Sequence, residues 1–222
     1  MMDVVWAYMA SRNPQELEYS IKSVQKNIKH GRLIVIGDKP EFKTIAEHHK
    51  PPICRWAFLS PHHDVIAKIY HATTMDITDD FIFMNDDFYC MKPTEIKANH
   101  RGTLQKHIDG RSRNDAYTKS LVNTKKYLVD KGIVEPLSYE LHTPIVYNKV
   151  KLKKMYDDMM EIIKYNAPLL TRTLYGNIYK IGGEYMDDPK NPHEYDDKIF
   201  LSSSENSFAG RLGEYVKEKL CE

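Results

Sequence analysis

Cysteine is scarce in this 222-residue chain, which has only Cys54, Cys90 and Cys221. The number is odd and no two sit at metal-finger spacing, which argues against a disulfide framework and a cysteine-based zinc site. A reducing, cytoplasmic compartment suits such a chain. Charge of one sign is lacking as well: Lys+Arg is 32 and Asp+Glu 31, a formal +1, so the average charge names no partner. No apolar run approaches eighteen residues, so no membrane span is expected. The N-terminus lacks a basic n-region and a small-residue cleavage pattern, so no secretory signal is expected either. GxxxxGK and GxGxxG are both missing, which removes the main support for kinase-type and dinucleotide-type readings. There is no internal repeat and no low-complexity linker.

What remains is an ordinary globular composition, with 41% hydrophobic and 28% charged residues. The length fits one domain that buries a core without staples. Val4 to Tyr8 reads as a buried strand, and Asn13-Pro14 as a helix start. Leu17, Ile21, Val24 and Ile28 then recur at helical spacing before Gly31, and Leu33 to Ile36 reads as a second strand ended by Gly37-Asp38. Strand, helix, strand is the opening of an α/β fold with parallel strands. A weaker third strand is expected over Ile53–Phe58 and a helix from about His63, with Val65, Ile69 and Ala72 on one face. Phe81 to Met84 is a further buried strand.

Residues 97–131 carry nine Lys/Arg against three acids. Their first part reads as a loop, and a helix is expected from Asp115 to Gly132. Tyr139–Tyr147 reads as an edge or bent strand because of Pro144. Leu152, Met155, Met159 and Ile162 mark another helix. Residues 184–197, with six acids and two prolines, read as a surface loop. Gly182-Gly183 is too short to cradle a phosphate and reads as a turn. A short C-terminal helix follows Phe208.

The sharpest feature is Asn85-Asp86-Asp87 at the carboxyl end of the Phe81–Met84 strand. Open α/β sheets bind ligands at such strand ends. Adjacent carboxylates repel each other, and a hard divalent cation with oxygen ligands would hold them together. Such a cation would also bind a diphosphate and neutralise it as it leaves. The competing explanation is a solvated turn, which Asp and Asn favour in their own right. Asp79 and Asp80, before the strand, read as a helix-to-strand turn.

Three stretches carry a resemblance: Asp3-Val4-Val5 with the helix from Glu16 to Asn27, then Phe81 to Phe88, and finally His142-Thr143-Pro144 followed by Arg172-Thr173-Leu174-Tyr175. In this order they resemble GT-A-type nucleotide-sugar glycosyltransferases, and more narrowly the Stealth proteins, sugar-phosphate transferases of capsule synthesis. The resemblance runs from residue 3 to about 180. It implies a GT-A-like α/β domain over 1–222, with a mixed, mostly parallel sheet flanked by helices. Residues 1–96 would form the donor and metal half, and 97–222 the acceptor half. It also implies Mn2+ or Mg2+ on Asp87, with Asp86 a second ligand, Asn85 on the donor, and His142 completing the metal site or binding phosphate. One departure is that the opening strand continues as Trp6-Ala7-Tyr8 where the family usually has Trp-Val-Asp.

Further site residues follow from that frame. Tyr8 would stack on the nucleotide base, Arg12 would meet a phosphate and Asp38 a base or ribose hydroxyl, while Lys68 lies on a helix placed near the donor. Arg172 would hold a diphosphate or the acceptor by a bidentate contact. Transfer with inversion needs a general base, for which Glu140, Glu184, Asp187 and Asp188 are candidates, with Asp188 favoured. His193 and the 194–198 stretch are either a lid or an exposed loop.

The basic 97–131 stretch would steer a polyanionic acceptor, either an anionic or lipid-linked glycan or hydroxymethylated DNA. The expected activity is therefore metal-dependent hexosyl or pentosyl transfer from a nucleotide sugar, DNA modification being one form. The alternatives are a Stealth-type sugar-phosphate transferase and a non-catalytic nucleic-acid-binding module. Oligomeric state is not legible.

Overall fold

Strand β1 (Asp3–Tyr8) is buried along its whole length, so both of its faces need cover. The computed structural model describes residues 1–10, 13–113, 115–165 and 169–221. After β1 the chain forms α1 (Pro14–Asn27), β2 (Leu33–Gly37), β3 (Glu47–His49), a 3-10 turn (Arg55–Leu59), α2 (Pro61–Ala72), β4 (Asp80–Asn85), β5 (Phe88–Cys90) and β6 (Asn99–His100). It continues through α3 (Leu104–Asp109), α4 (Ala116–Asp130), β7 (Ile145–Asn148), α5 (Lys149–Tyr165), α6 (Thr171–Ile178), β8 (Glu184–Tyr185), β9 (Phe200–Ser202), α7 (Glu205–Phe208) and α8 (Arg211–Cys221).

The main sheet has the order β3-β2-β1-β4-β7. Its first four strands are parallel, and β7 runs antiparallel to β4. The fold is thus α/β, with a mixed, mostly parallel sheet between helices, as the resemblance implies. Alternation along the strands sorts the core. Val4, Trp6, Leu33, Val35, Ile82 and Met84 pack with α1, while Val5, Ala7, Ile34, Ile36, Phe81 and Phe83 pack with α2 and α5. From β1 the chain winds outward through β2 to β3, then returns to place β4 on the other side of β1. That reversal makes the carboxyl ends of β1 and β4 the place where such sheets bind ligands.

Local chemistry starts the helices where expected. The Asn13 side chain accepts from Gln15 N at 3.0 Å with Pro14 in the first turn of α1, and Asp115 accepts from Thr118 N at 2.9 Å to start α4. Ser60 caps α2, which begins two residues before His63.

Three expectations need correction. Residues 53–58 are not a strand: Ile53 and Phe58 are exposed, and the third strand is β3, at the sheet edge. Its residues Glu47, His48 and His49 are polar and pair with β2 by their backbone, with His48 Nε2 also 3.0 Å from the Gly37 carbonyl, so no apolar pattern advertised it, while Pro51-Pro52 deny the next stretch ladder donors. The strand expected over 139–147 shortens to β7, which begins just past Pro144. The stretch expected to be a loop before Asp115 contains β6 and α3, the latter capped by Thr103. Among the described residues, no helix is long and apolar enough to cross a membrane.

One buried stripe of α1 is polar. Glu16, Ser20, Ser23 and Asn27 share a helical face. Ser20 Oγ accepts from Trp6 Nε1 at 2.9 Å and donates to the Phe88 carbonyl at 2.6 Å. Ser23 Oγ accepts from Cys90 N at 3.0 Å, and Asn27 Nδ2 donates to the Cys90 carbonyl at 2.7 Å. This stripe supplies the hydrogen bonds that β5 lacks on that side, fixing the strand that leaves Asp87. Ser20→Ala strands both partners in the core, so a loss of about 1–3 kcal/mol is expected. Urea unfolding with an unchanged m-value would register it.

Candidate functional site

A cleft of about 1070 Å³ opens at the carboxyl end of β4. Phe83 and Asn85 of β4, Phe88 of β5, residues 140–142, the start of α6, residues 185–188 and Lys190 line it, with Arg101, Lys106 and Arg111 on another wall.

His142 and Asp188 meet here. His142 Nδ1 lies 3.0 Å from both Asp188 oxygens, and the His142 backbone N–H donates to Oδ1 at 3.0 Å. Arg101 Nη1 adds an ion pair to Oδ2 at 3.1 Å. Burial works against ionisation of Asp188, but the bonds and charge of His142, with Arg101, outweigh it and hold the carboxyl below its ordinary value. With Nδ1 committed, Nε2 is the ring nitrogen left over. Asp188, expected as the base, has its carboxylate turned to this imidazole, a contact of the kind that fixes a ring's orientation.

Arg172 is the third predicted residue in the cleft. Its guanidinium donates to the Leu141 carbonyl at 2.5 Å and to the Thr143 carbonyl, and lies 5.4 Å from the Phe88 ring centroid. The His142 ring meets the same Phe88 edge-on at 5.8 Å. Glu140, behind them, accepts from Thr173 N at 3.1 Å and Thr173 Oγ1 at 2.9 Å. Burial raises its carboxyl pKa, against the pull of Arg172. Asp187 also lines the cleft and accepts from the Tyr185 hydroxyl at 2.7 Å, whereas Glu184 is exposed on β8 and does not.

The strand-end triplet divides. Asn85 lines the cleft, but Asp86 and Asp87 lie beneath it, 5% and 4% exposed. Asp87 Oδ2 accepts from Lys190 Nζ at 2.5 Å, and its Oδ1 is buried with no hydrogen-bond partner. That oxygen is an acceptor a cation would satisfy, yet the carboxylate already faces an ammonium. Among the described residues, no three His, Cys, Asp or Glu side chains group as a metal site, and His142 is turned to Asp188. As arranged, these residues do not fit the expected Mn2+ or Mg2+.

Tyr8, Asp38 and Lys68 gather at the ends of β1 and β2, and none lines the cleft. Lys68 Nζ donates to the Tyr8 carbonyl at 2.8 Å and to Asp64, while Asp38 Oδ2 accepts from Ala10 N at 2.9 Å. Gly37, at φ +133°, lets the chain pass there, since a Cβ would meet the Tyr8 carbonyl at 2.0 Å. Arg12 lies outside the described residues. Residues 193–198 do not line the cleft: Tyr195 packs on Tyr215 of α8 at 5.1 Å and Asp197 pairs with Lys92 at 3.5 Å.

Of the nine Lys/Arg in the 97–131 stretch, Arg101, Lys106 and Arg111 line the cleft. Lys126 pairs with Asp130 at 2.5 Å along the outer face of α4. Sequence reasoning missed Lys190, the lone cation in the acidic 184–197 loop, which was itself the available signal. It also missed His62 and His107. Both line the cleft, and both are brought down to about 4 by burial, His107 also by Arg101 and Arg111.

Neither a family model nor a curated protein matches the sequence. Among solved structures, the chain is similar to the apo-form glycosyltransferase GlyE of Streptococcus pneumoniae TIGR4, with a TM-score of 0.51 at 9% identity. The match covers 100% of this chain and 60% of that one, so this chain spans less than two thirds of GlyE's length. The likeness is one of fold, a distant match to a glycosyltransferase.

The depressed Asp188 pKa has a defined sign. Its contribution to stability is complete above the ordinary carboxylate range and is lost as pH falls through its lower folded value. Asp188→Asn is therefore expected to lower stability at neutral pH and to converge on the parent in acid. Melting curves between pH 7 and pH 2 would reveal this, and a constant gap across that range would count against the assignment.

Proposed function

We propose that this chain is a glycosyltransferase that moves a hexosyl or pentosyl group from a nucleotide sugar to an acceptor hydroxyl. The observation that carries the reading is the carboxylate-oriented imidazole of His142 in a cation-lined cleft at the carboxyl end of β4. The fold likeness to GlyE supports it.

In this reading the acceptor hydroxyl gives its proton to His142 Nε2. Its oxygen bonds to the anomeric carbon as the bond from that carbon to the donor phosphate oxygen breaks. The electron pair departs on the nucleoside diphosphate. Asp188 keeps Nδ1 protonated and stabilises the imidazolium, as an aspartate does for histidine in hydrolase triads. Arg172 and Arg101 offset the growing negative charge. A base positioned for the acceptor favours transfer with inversion.

Arg101, Lys106 and Arg111 on one wall suit a negatively charged acceptor. An anionic or lipid-linked glycan and hydroxymethylated DNA both meet that description. Transfer of sugar phosphate, with attack on phosphorus, would use the same base and cations, and product analysis separates the two reactions.

A thermal-shift panel of nucleotide sugars should find one that stabilises the full chain. With that donor, His142→Gln is expected to lower transfer by about 10²–10⁴-fold while donor binding persists. Proton NMR of the product should show an inverted anomeric centre. Undiminished transfer by His142→Gln would remove the base assignment, and a phosphodiester product would replace glycosyl by sugar-phosphate transfer.

A further inference from the structure

We infer that Lys190 is the resident cation of the donor site, standing where a divalent ion was expected, and that diphosphate binding needs its ammonium and no metal. The inference rests on the donor reading above.

The Lys190 ammonium has three N–H donors. One goes to Asp87 Oδ2 at 2.5 Å and one to the Ser203 carbonyl. The third is uncommitted, and the side chain is 26% exposed and lines the cleft that also holds Arg101 and Arg172. Asp87, only 5% exposed at its side chain, thus has its charge balanced from within the chain. A divalent ion on the same carboxylate would meet this ammonium at close range and be repelled.

The placement is built, not incidental. The Asn191 N–H donates to the Ser202 carbonyl at 2.8 Å, and the Ser202 N–H donates to the Pro189 carbonyl at 3.1 Å. Ser203 N–H in turn donates to the Asp87 carbonyl at 3.2 Å. These bonds fix Lys190 over the residue it neutralises, two positions along from Asp188. An ammonium held in this way, with one donor left over, is arranged to take a phosphate oxygen.

Isothermal titration of the full chain with inorganic pyrophosphate and a panel of nucleoside diphosphates, first in EDTA and then in excess Mn2+, tests the inference. The wild type should bind a diphosphate in EDTA, with Mn2+ tightening it by less than about threefold. Lys190→Met should weaken binding in EDTA by at least about tenfold, and Lys190→Arg should retain most of it. Binding that appears only with Mn2+ overturns the inference and leaves the donor reading standing. Undiminished binding by Lys190→Met in EDTA overturns it too. If no diphosphate binds in either buffer, the donor reading falls and this inference falls with it. The wild-type comparison needs no variant, so it decides the matter even if Lys190→Met does not fold.

Discussion

The pairing of β5 with β9 is the constraint on which the site depends. The β5 strand begins one residue after Asp87, and β9 lies against it in antiparallel register from Phe88–Ser202 to Cys90–Phe200. Residues 189–191 then dock on Ser202. Without that two-strand ladder the acidic loop would have no anchor near β4. With it, Asp188 reaches His142 and Lys190 reaches Asp87, two residues apart on one short segment. A loop that the sequence presents as solvated surface thereby supplies both the group that orients the imidazole and the cation that balances the strand-end carboxylate.

The ladder is in turn held by polar groups inside the fold. Ser203 Oγ donates to Glu16 at 2.6 Å and lies 2.8 Å from the Tyr89 hydroxyl. Buried polar groups are costly unless paired, so this cluster tolerates few alternative arrangements. Glu16 and Ser20 belong to the α1 stretch, and Phe88 closes the strand-end stretch, of the resemblance seen in the sequence. Their joint occurrence has a physical reason here: the polar stripe of α1 bonds to the backbone of β5 and to Ser203 beyond it. Asp3, in the opening stretch, has a structural task at the other end of the sheet, where Arg32 pairs with it at 2.9 Å and Thr78 N–H donates to it at 3.1 Å.

Much of the fold was legible because burial imposes periodicity. The strands β1, β2 and β4 and the helices α1, α4 and α5 carry apolar residues at the spacing their faces require. The third strand, β3, was invisible because an edge strand with exposed side chains pairs through backbone, which any sequence supplies. In the site, His142, Arg172, Asp188 and Asn85, each named from the sequence, all line the cleft. Asp188 was read as a base, and spacing does not show that its carboxylate turns to an imidazole 46 positions away. Asp87 was read as a metal ligand, and its pairing with Lys190 was equally hidden: a strand-end carboxylate looks alike in sequence whether a metal or a distant lysine stands beside it.

The cleft's charge follows from these pairings. Among the described residues, five cations line it, Arg101, Lys106, Arg111, Arg172 and Lys190, against the three acids Glu140, Asp187 and Asp188. The chain as a whole carries only +1, so the excess is concentrated where the sheet opens. Burial and neighbouring charge hold His62 and His107 low, which keeps both rings neutral near pH 7, and burial biases Glu140 toward its protonated form. Field lines from such an excess are focused by the apolar floor that Phe83, Phe88 and Tyr147 provide. A ligand with several negative oxygens gains from every one of these features, whereas a neutral sugar alone gains from none. In the proposed reading, the diphosphate of a donor, and not its sugar, would be the part that meets this charge, with the acceptor hydroxyl beside it at His142.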